Sequence, residues 1–346
     1  MTYIGGMDEC RTSVIDAPAA WYGSSLASRD DWRYTLTPED IAELDAALDG
    51  VRGRSWQDVT RDDFPLPRLG QRLQEIAEII DTGLGIFLVS GVPVERMSSD
   101  DAALALWGLG QHVGVPQPQD AQKTLLHHVR DTGAKFEEDP NIRIYQTNAE
   151  QVFHNDGGDL VMLLCRRRAK SGGASRMASA VTMFNEVLKR DPELAIVLQQ
   201  PFHFDARGQQ LPGRPRTQEV PIFVWHGDRL NALHKRHYIE AAQRFEEVPR
   251  LTEKQIAALD LLDELFEDPD ITYSFELAPG DIQIAGNFSI FHARESFEDY
   301  EEAEQKRHML RLWLGLEDGR ELAPIYRETR EFGPLFDIPG RCAERA

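Results

Sequence analysis

Apolar residues in this chain recur in two rhythms. One is helical. Behind Thr37-Pro38-Glu39-Asp40, Ile41, Leu44 and Leu48 share a face, with Thr37 as the cap and Pro38 in the first turn. Leu69, Leu73, Ile76 and Ile80 mark a second helix, stopped by Gly83. Ser99-Asp100-Asp101 opens a third that runs to about Val113. Further helices are expected over Val181 to Lys189 and Asn231 to Phe245, and from Thr252, a cap, to about Phe266. The other rhythm is that of strands. Leu310, Leu312, Leu314 and Leu316 alternate with Met309, Arg311 and Trp313. Gly85 to Ser90, Ile142 to Phe153, Leu160 to Cys165, Ile282 to Ala285 and Phe288 to His292 read as further strands, rich in β-branched and aromatic residues. The chain shows no internal repeat.

Two polar stretches interrupt the pattern. Gln117 to Pro140 and Asp205 to Glu219 are long for connections, and at least one is expected to close over a site. The first sixty or so residues read as a helical accessory segment. The whole is expected to be a single domain, 1–346, with its core over about 85–316.

Chemistry enters at Phe153-His154-Asn155-Asp156-Gly157-Gly158-Asp159. On a continuing strand, His154 and Asp156 face the same way and offer an imidazole beside a carboxylate. A third ligand completes a two-histidine, one-carboxylate set of the kind that holds Fe(II) on one side and leaves the opposite positions open. His292, ending the apolar run from Phe288, is the candidate. A second His-x-Asp, His226-Gly227-Asp228, reads instead as a hairpin turn behind Phe223-Val224-Trp225. His127, His128, His234, His237 and His308 sit among polar neighbours and are expected at the surface; His112 and His203 are expected to pack. Two arginines on the Met309–Trp313 face, Arg307 and Arg311, are costly inside a protein unless each holds an anion. Guanidinium forks suit carboxylates.

Four ordered motifs together carry a resemblance: His154-x-Asp156, Gly172-Gly173-Ala174-Ser175, Asn287 to His292-Ala293-Arg294, and Arg307 with Arg311. From about Gly85 to Leu316 the chain resembles the Fe(II)- and 2-oxoglutarate-dependent dioxygenases of the taurine dioxygenase (TauD/TfdA) and clavaminate synthase-like group. The resemblance implies a mainly β fold, a double-stranded β-helix (jelly-roll) core with flanking helices. It implies Fe(II) on His154, Asp156 and His292, with Arg307 and the Ser175 hydroxyl holding the far carboxylate of 2-oxoglutarate. Ser175 stands where the family commonly has threonine. Arg311 would then meet an acidic group on the primary substrate. Gln146, Thr147 and Asn148 are candidates for lining the substrate pocket and read equally as turn residues. The reaction implied consumes O2, releases succinate and CO2, and hydroxylates a C–H bond. Asp156 disfavours halogenation, for which the family's carboxylate is replaced. Desaturation, epimerisation or cyclisation stay open, as does a non-catalytic cupin-like binding protein, which needs no Arg307–Ser175 pair, or an iron oxygenase without 2-oxoglutarate.

Composition narrows the partners. A formal net charge of −20 over 346 residues argues against nucleic acid and anionic membranes. The run Arg166-Arg167-Arg168 reads as a solvated loop. No stretch has the length of a membrane span and no secretory signal is recognisable at the N-terminus. The 3 cysteines, Cys10, Cys165 and Cys342, are scattered, as expected of free thiols in a reducing cytoplasm. The expected partner is a small, anionic molecule; a homo-oligomer stays open.

Overall fold

A computed structural model describes residues 10–134, 144–210, 213–339 and 341. Its scaffold is a seven-stranded sheet. Strands follow one another in space as Arg33–Thr35, Ile86–Ser90, Ile282–Gly286, Leu160–Arg167, His308–Gly315 and Val115–Gln117, with Leu126–Val129 also pairing to His308–Gly315. A four-stranded sheet faces it, in the order Tyr273–Phe275, Ser175–Ser179, Ile290–Arg294, Gln151–His154. Two facing, largely antiparallel sheets with long crossovers form the jelly-roll core expected.

The central strand His308–Gly315 is buried along its length, and its alternation sorts side chains between two cores. Leu310, Leu312 and Leu314 join the core under helices Pro38–Val51, Leu69–Thr82 and Ser99–Val113. Met309 and Trp313 turn into the space between the sheets, with Ile86, Val161, Met177 and Ile290. A third core seats helices Ala180–Arg190 and Glu253–Phe266 against the smaller sheet. Capping boxes at Thr37/Asp40, Ser98/Asp101 and Thr252/Gln255 start three helices where expected, because each satisfies two otherwise orphaned N–H groups.

Several expectations are corrected. The run before His154 is not one long strand. Ile144–Gln146 forms a 3-10 turn, and only Gln151–His154 is extended; residues 142 and 143 lie outside the described segments. The helix expected from Asn231 begins at Arg236, because Arg229–Ala232 pairs back onto Phe223–His226 as a hairpin. That hairpin turns at Gly227, with φ at +57°, so the second His-x-Asp is the bend expected. Part of the polar stretch from Gln117 is sheet: Leu126 and Val129 are buried against the central strand, and residues 135–140 lie outside the described segments. The stretch Asp205 to Glu219 joins two paired strands, Pro201–Asp205 and Thr217–Pro221; residues 211 and 212 lie outside the described segments. The N-terminal region supplies an edge strand, Arg33–Thr35, parallel to Ile86–Ser90. The strand Leu160–Arg167 takes in the first two arginines of the basic run, and Arg167 donates to Lys306 O at 3.0 Å.

His127, His234 and His308, expected at the surface, are buried. Two of them have found hydrogen-bond partners, and the third is held by ring packing with its Nδ1 left without a partner among the described residues. His127 bridges Asp120 and Tyr145, His308 bonds His128, and His234 packs on Phe266 and Phe291. His112 is buried as expected, its Nε2 bonded to Phe64 O at 2.8 Å, and His203 is half-buried. Cys10 and Cys165 are free thiols; Cys342 lies outside the described residues. Among the described residues, no helix is long and apolar enough to cross a membrane.

Candidate active site

His154 and His292 are directly opposed partners on adjacent antiparallel strands of the smaller sheet. Their rings stack with centres 4.3 Å apart. Asp156 lies beyond the strand end, in the loop, so strand alternation does not bring it in. Asn155 does. Its side chain donates to Asn287 O and Ile290 O at 2.7 and 2.8 Å, and it accepts from His234 N at 2.7 Å. Asn287 returns the contact, donating to Gly157 O and Gly158 O. The loop is thus sewn to the turn ahead of His292. Asp156 Oδ1 sits 3.9 Å from His154 Nε2, and Oδ2 sits 3.9 Å from His292 Nε2. One donor atom from each residue lies within 4.8 Å of the others.

The electrostatics suit a divalent cation. Burial, with His292 close by, pushes His154 down to about 3, and burial also lowers His292; both imidazoles are neutral at pH 7. His154 Nδ1 donates to Val152 O at 2.9 Å, a bond that assigns the lone pair to Nε2. The Gln151 amide rests on that Nε2 at 2.8 Å and must give way to a metal. His292 Nε2 is buried with no hydrogen-bond partner, a cost that a ligated ion removes. Burial would raise Asp156, but Arg311 foremost, with His292, outweighs it and holds the carboxyl well below its usual range. Two neutral imidazoles and one carboxylate on one side of a cavity match the donor set of non-haem Fe(II).

Two cavities meet at this triad. The first is lined by His154, Asp156, His292, Ser175, Arg294 and Arg307. Arg307 is buried, its guanidinium 5.1 Å from the Phe297 ring centre, and no described carboxylate is within ion-pair distance. Its pKa is lowered by burial. A dicarboxylate reaching from the metal to Arg307 would supply the missing anion. Gly172 and Gly173 allow this arrangement. Their φ values are +70° and +78°, and a Cβ on Gly172 would lie 2.4 Å from Ser296 O.

The second cavity shares Tyr145, His154, Asp156 and Arg311 with the first and adds Trp313, Tyr238, Lys235 and Arg330. Arg311 lines both. Its Nη1 donates to Asp156 at 3.1 and 3.3 Å and its Nε donates to Gln119 at 2.7 Å. A guanidinium expected to meet a substrate is therefore already engaged by Asp156. Gln146, Thr147 and Asn148 are not among the residues lining either cavity. They form the turn before the His154 strand: Gln146 O accepts from Thr132, while Thr147 O and Asn148 O accept from Arg294, a buried cation.

Sequence reasoning missed Gln119, Asn155, Lys235 and Glu331. Only Asn155, between His154 and Asp156, carried any local signal.

Known proteins resemble this chain in sequence and in fold. FR-33289 synthase of Streptomyces rubellomurinus (strain ATCC 31215) is 29% identical over 335 residues, covering 94% of this chain and 97% of the relative. A uridine-5'-phosphate dioxygenase of a Streptomyces species is 28% identical over 233 residues, 62% of this chain and 80% of the relative. Among solved structures, an asparagine oxygenase bound to Fe(II), 3-hydroxyasparagine and succinate superposes with a TM-score of 0.62. It is 17% identical and covers 83% of this chain and 94% of its own. The non-haem iron oxygenase OrfP, with Fe and alpha-ketoglutaric acid, gives a TM-score of 0.58 at 14% identity, covering 82% and 94%. A sequence model of the taurine catabolism dioxygenase TauD, TfdA family matches residues 51–313, and the chain belongs to that family.

Proposed function

We propose that this protein hydroxylates a C–H bond of a small anionic molecule and consumes 2-oxoglutarate and O2 as it does so. The observation that carries this reading is the shared cavity: His154, Asp156 and His292 line the same space as Arg307, a buried cation without a described carboxylate partner. His154, Asp156 and His292 would hold Fe(II); Arg307 and Ser175 would hold the distal carboxylate of 2-oxoglutarate. With both bound, Fe(II) and 2-oxoglutarate would supply the chemistry by which O2 oxidises a C–H bond, leaving succinate and CO2.

The protein's own residues do the positioning. Val152 O fixes the His154 tautomer, Asn155 fixes the loop, and Arg311 keeps the Asp156 carboxylate ionised and oriented. Buried Trp313 helps keep water from the second cavity, where the primary substrate would sit. Relatives named for uridine 5'-phosphate and neighbours holding hydroxylated amino acids support a small polar substrate with an acidic group. The free, buried Cys165 thiol supports a reducing cytoplasm as the setting.

The test is succinate release from purified protein with Fe(II), 2-oxoglutarate and O2. Metal- and 2-oxoglutarate-dependent succinate, stimulated by a candidate acid, is the expected result. Oxygen consumption with no matching succinate would overturn it.

A further inference from the structure

The basic run Arg166-Arg167-Arg168 stands apart from the site described above. Arg168 is answered by Glu276. The other two lie at one end of the seven-stranded sheet, where Leu160–Arg167 and Leu126–Val129 both pair with His308–Gly315. Arg130 follows Val129 directly. Two histidines join these arginines. His308 Nε2 and His128 Nδ1 are 2.8 Å apart, and their rings stack with centres at 5.0 Å. Arg166 Nη1 donates to His308 Nδ1 at 3.5 Å. None of these five residues lines either cavity at His154 and Asp156.

The hydrogen bonds of this cluster run one way. A guanidinium only donates, so His308 Nδ1 holds the lone pair and its hydrogen sits on Nε2. That hydrogen goes to His128 Nδ1, which leaves the hydrogen of His128 on Nε2. Burial first, then His128, Arg166, Arg167 and Arg130, keep His308 neutral. The side-chain groups left over are therefore donors. Arg166 Nε is one of them, buried and without a hydrogen-bond partner among the described residues. No described carboxylate lies within ion-pair distance of Arg130, Arg166 or Arg167. Asp100 acts on His128, and Asp299 and Glu304 act on Arg167, from farther away. His128 and Arg130 are exposed and Arg166 and Arg167 half-buried, so the cluster opens to solvent. Three guanidinium charges and a set of donors suit an oxyanion of two charges, as a phosphate group is. The net charge of −20 repels an extended polyanion, whereas a small one feels the nearest charges most, because salt screens those beyond about 8 Å.

We propose that Arg130, Arg166, Arg167 and His128 form a second ligand site, separate from the oxygenase cavities, that takes a phosphate group. His308 supports it from behind by fixing the tautomer of His128. The ligand is inorganic phosphate or a small phosphate monoester. The site goes beyond the oxygenase reading and does not depend on it.

The test is calorimetric titration of the full-length protein, loaded anaerobically with Fe(II) and 2-oxoglutarate, with inorganic phosphate, ethyl phosphate and acetate. One of the two phosphates is expected to bind about tenfold more tightly than acetate, or better, and the tighter of them names the source. Arg166→Gln and Arg130→Gln should each weaken that binding about fivefold or more, while the surface change Arg72→Gln should leave it as it is. Arg130, which is exposed, serves if Arg166→Gln fails to fold. Absence of phosphate binding, equal binding of all three anions, or binding unchanged in both variants overturns the site. The last of these results would place the phosphate elsewhere on the protein.

Discussion

Arg311 and Asp156 form a buried ion pair at 3.1 Å, and Gln119 grips the same guanidinium from its Nε edge at 2.7 Å. Gln119 is itself fixed by donating to Arg311 O and Leu125 O. The carboxylate that would bind iron is therefore oriented by a rigid, two-residue support rather than left free.

Replacing Arg311 should weaken the metal site before it alters anything else. Arg311→Met leaves Asp156 buried without its main cation. Fe(II) affinity is expected to fall about 10–100-fold, the usual effect of losing a partner that orients a ligand. Metal titration of the apo-protein checks this, and an unchanged affinity would return Arg311 to a role in substrate binding alone.

Asp156→Ala should abolish 2-oxoglutarate turnover, because the two remaining imidazoles cannot hold the ion in the same way. Undiminished succinate production by that variant would remove Asp156 from the ligand set.

Arg307→Gln should act on the co-substrate. It removes the buried cation that the distal carboxylate would meet, so KM for 2-oxoglutarate should rise about tenfold or more while Fe(II) binding stays close to wild type. A variant with normal KM would mean that the carboxylate lies elsewhere.

Asn155→Ala leaves three buried backbone partners, Asn287 O, Ile290 O and His234 N, without their bonds. A loss of about 2–5 kcal/mol is expected on denaturant unfolding, together with weaker metal binding. A loss below half a kcal/mol would show that the loop is held by something else.

The buried histidines predict acid sensitivity. Burial pushes His234 and His308 down to about 3 from 6.5. Both stay neutral in the folded protein, whereas the unfolded chain protonates them below pH 6.5. Their contribution to stability is present above that pH and is lost as pH falls from 6.5 towards 3. Each adds a slope approaching about 1.4 kcal/mol per pH unit within that window. Urea unfolding at pH 7, 6 and 5 should show the decline, and His308→Asn should make it shallower; an identical slope in the variant would sink the assignment.

What the sequence determined on its own was the local physics and the chemistry of isolated residue types. Period-two leucines placed the central strand, capping boxes placed three helices, and Gly227 placed a turn, because each depends on neighbours within a few positions. His154, Asp156, His292 and Arg307 stood out because metal ligation and carboxylate binding need few residue types. Tertiary structure alone decided how those groups face one another. Asp156 reaches the site through the side chain of Asn155, not through strand alternation. Arg311 turns to Asp156 because the central strand packs against that loop. Three histidines read as surface residues are buried because of neighbours that folding brings to them, such as His128 for His308 and the Phe266 and Phe291 rings for His234. Lys235 and Glu331 meet across 96 positions, a pairing no local pattern encodes, since only the folded chain brings such charges out of water together.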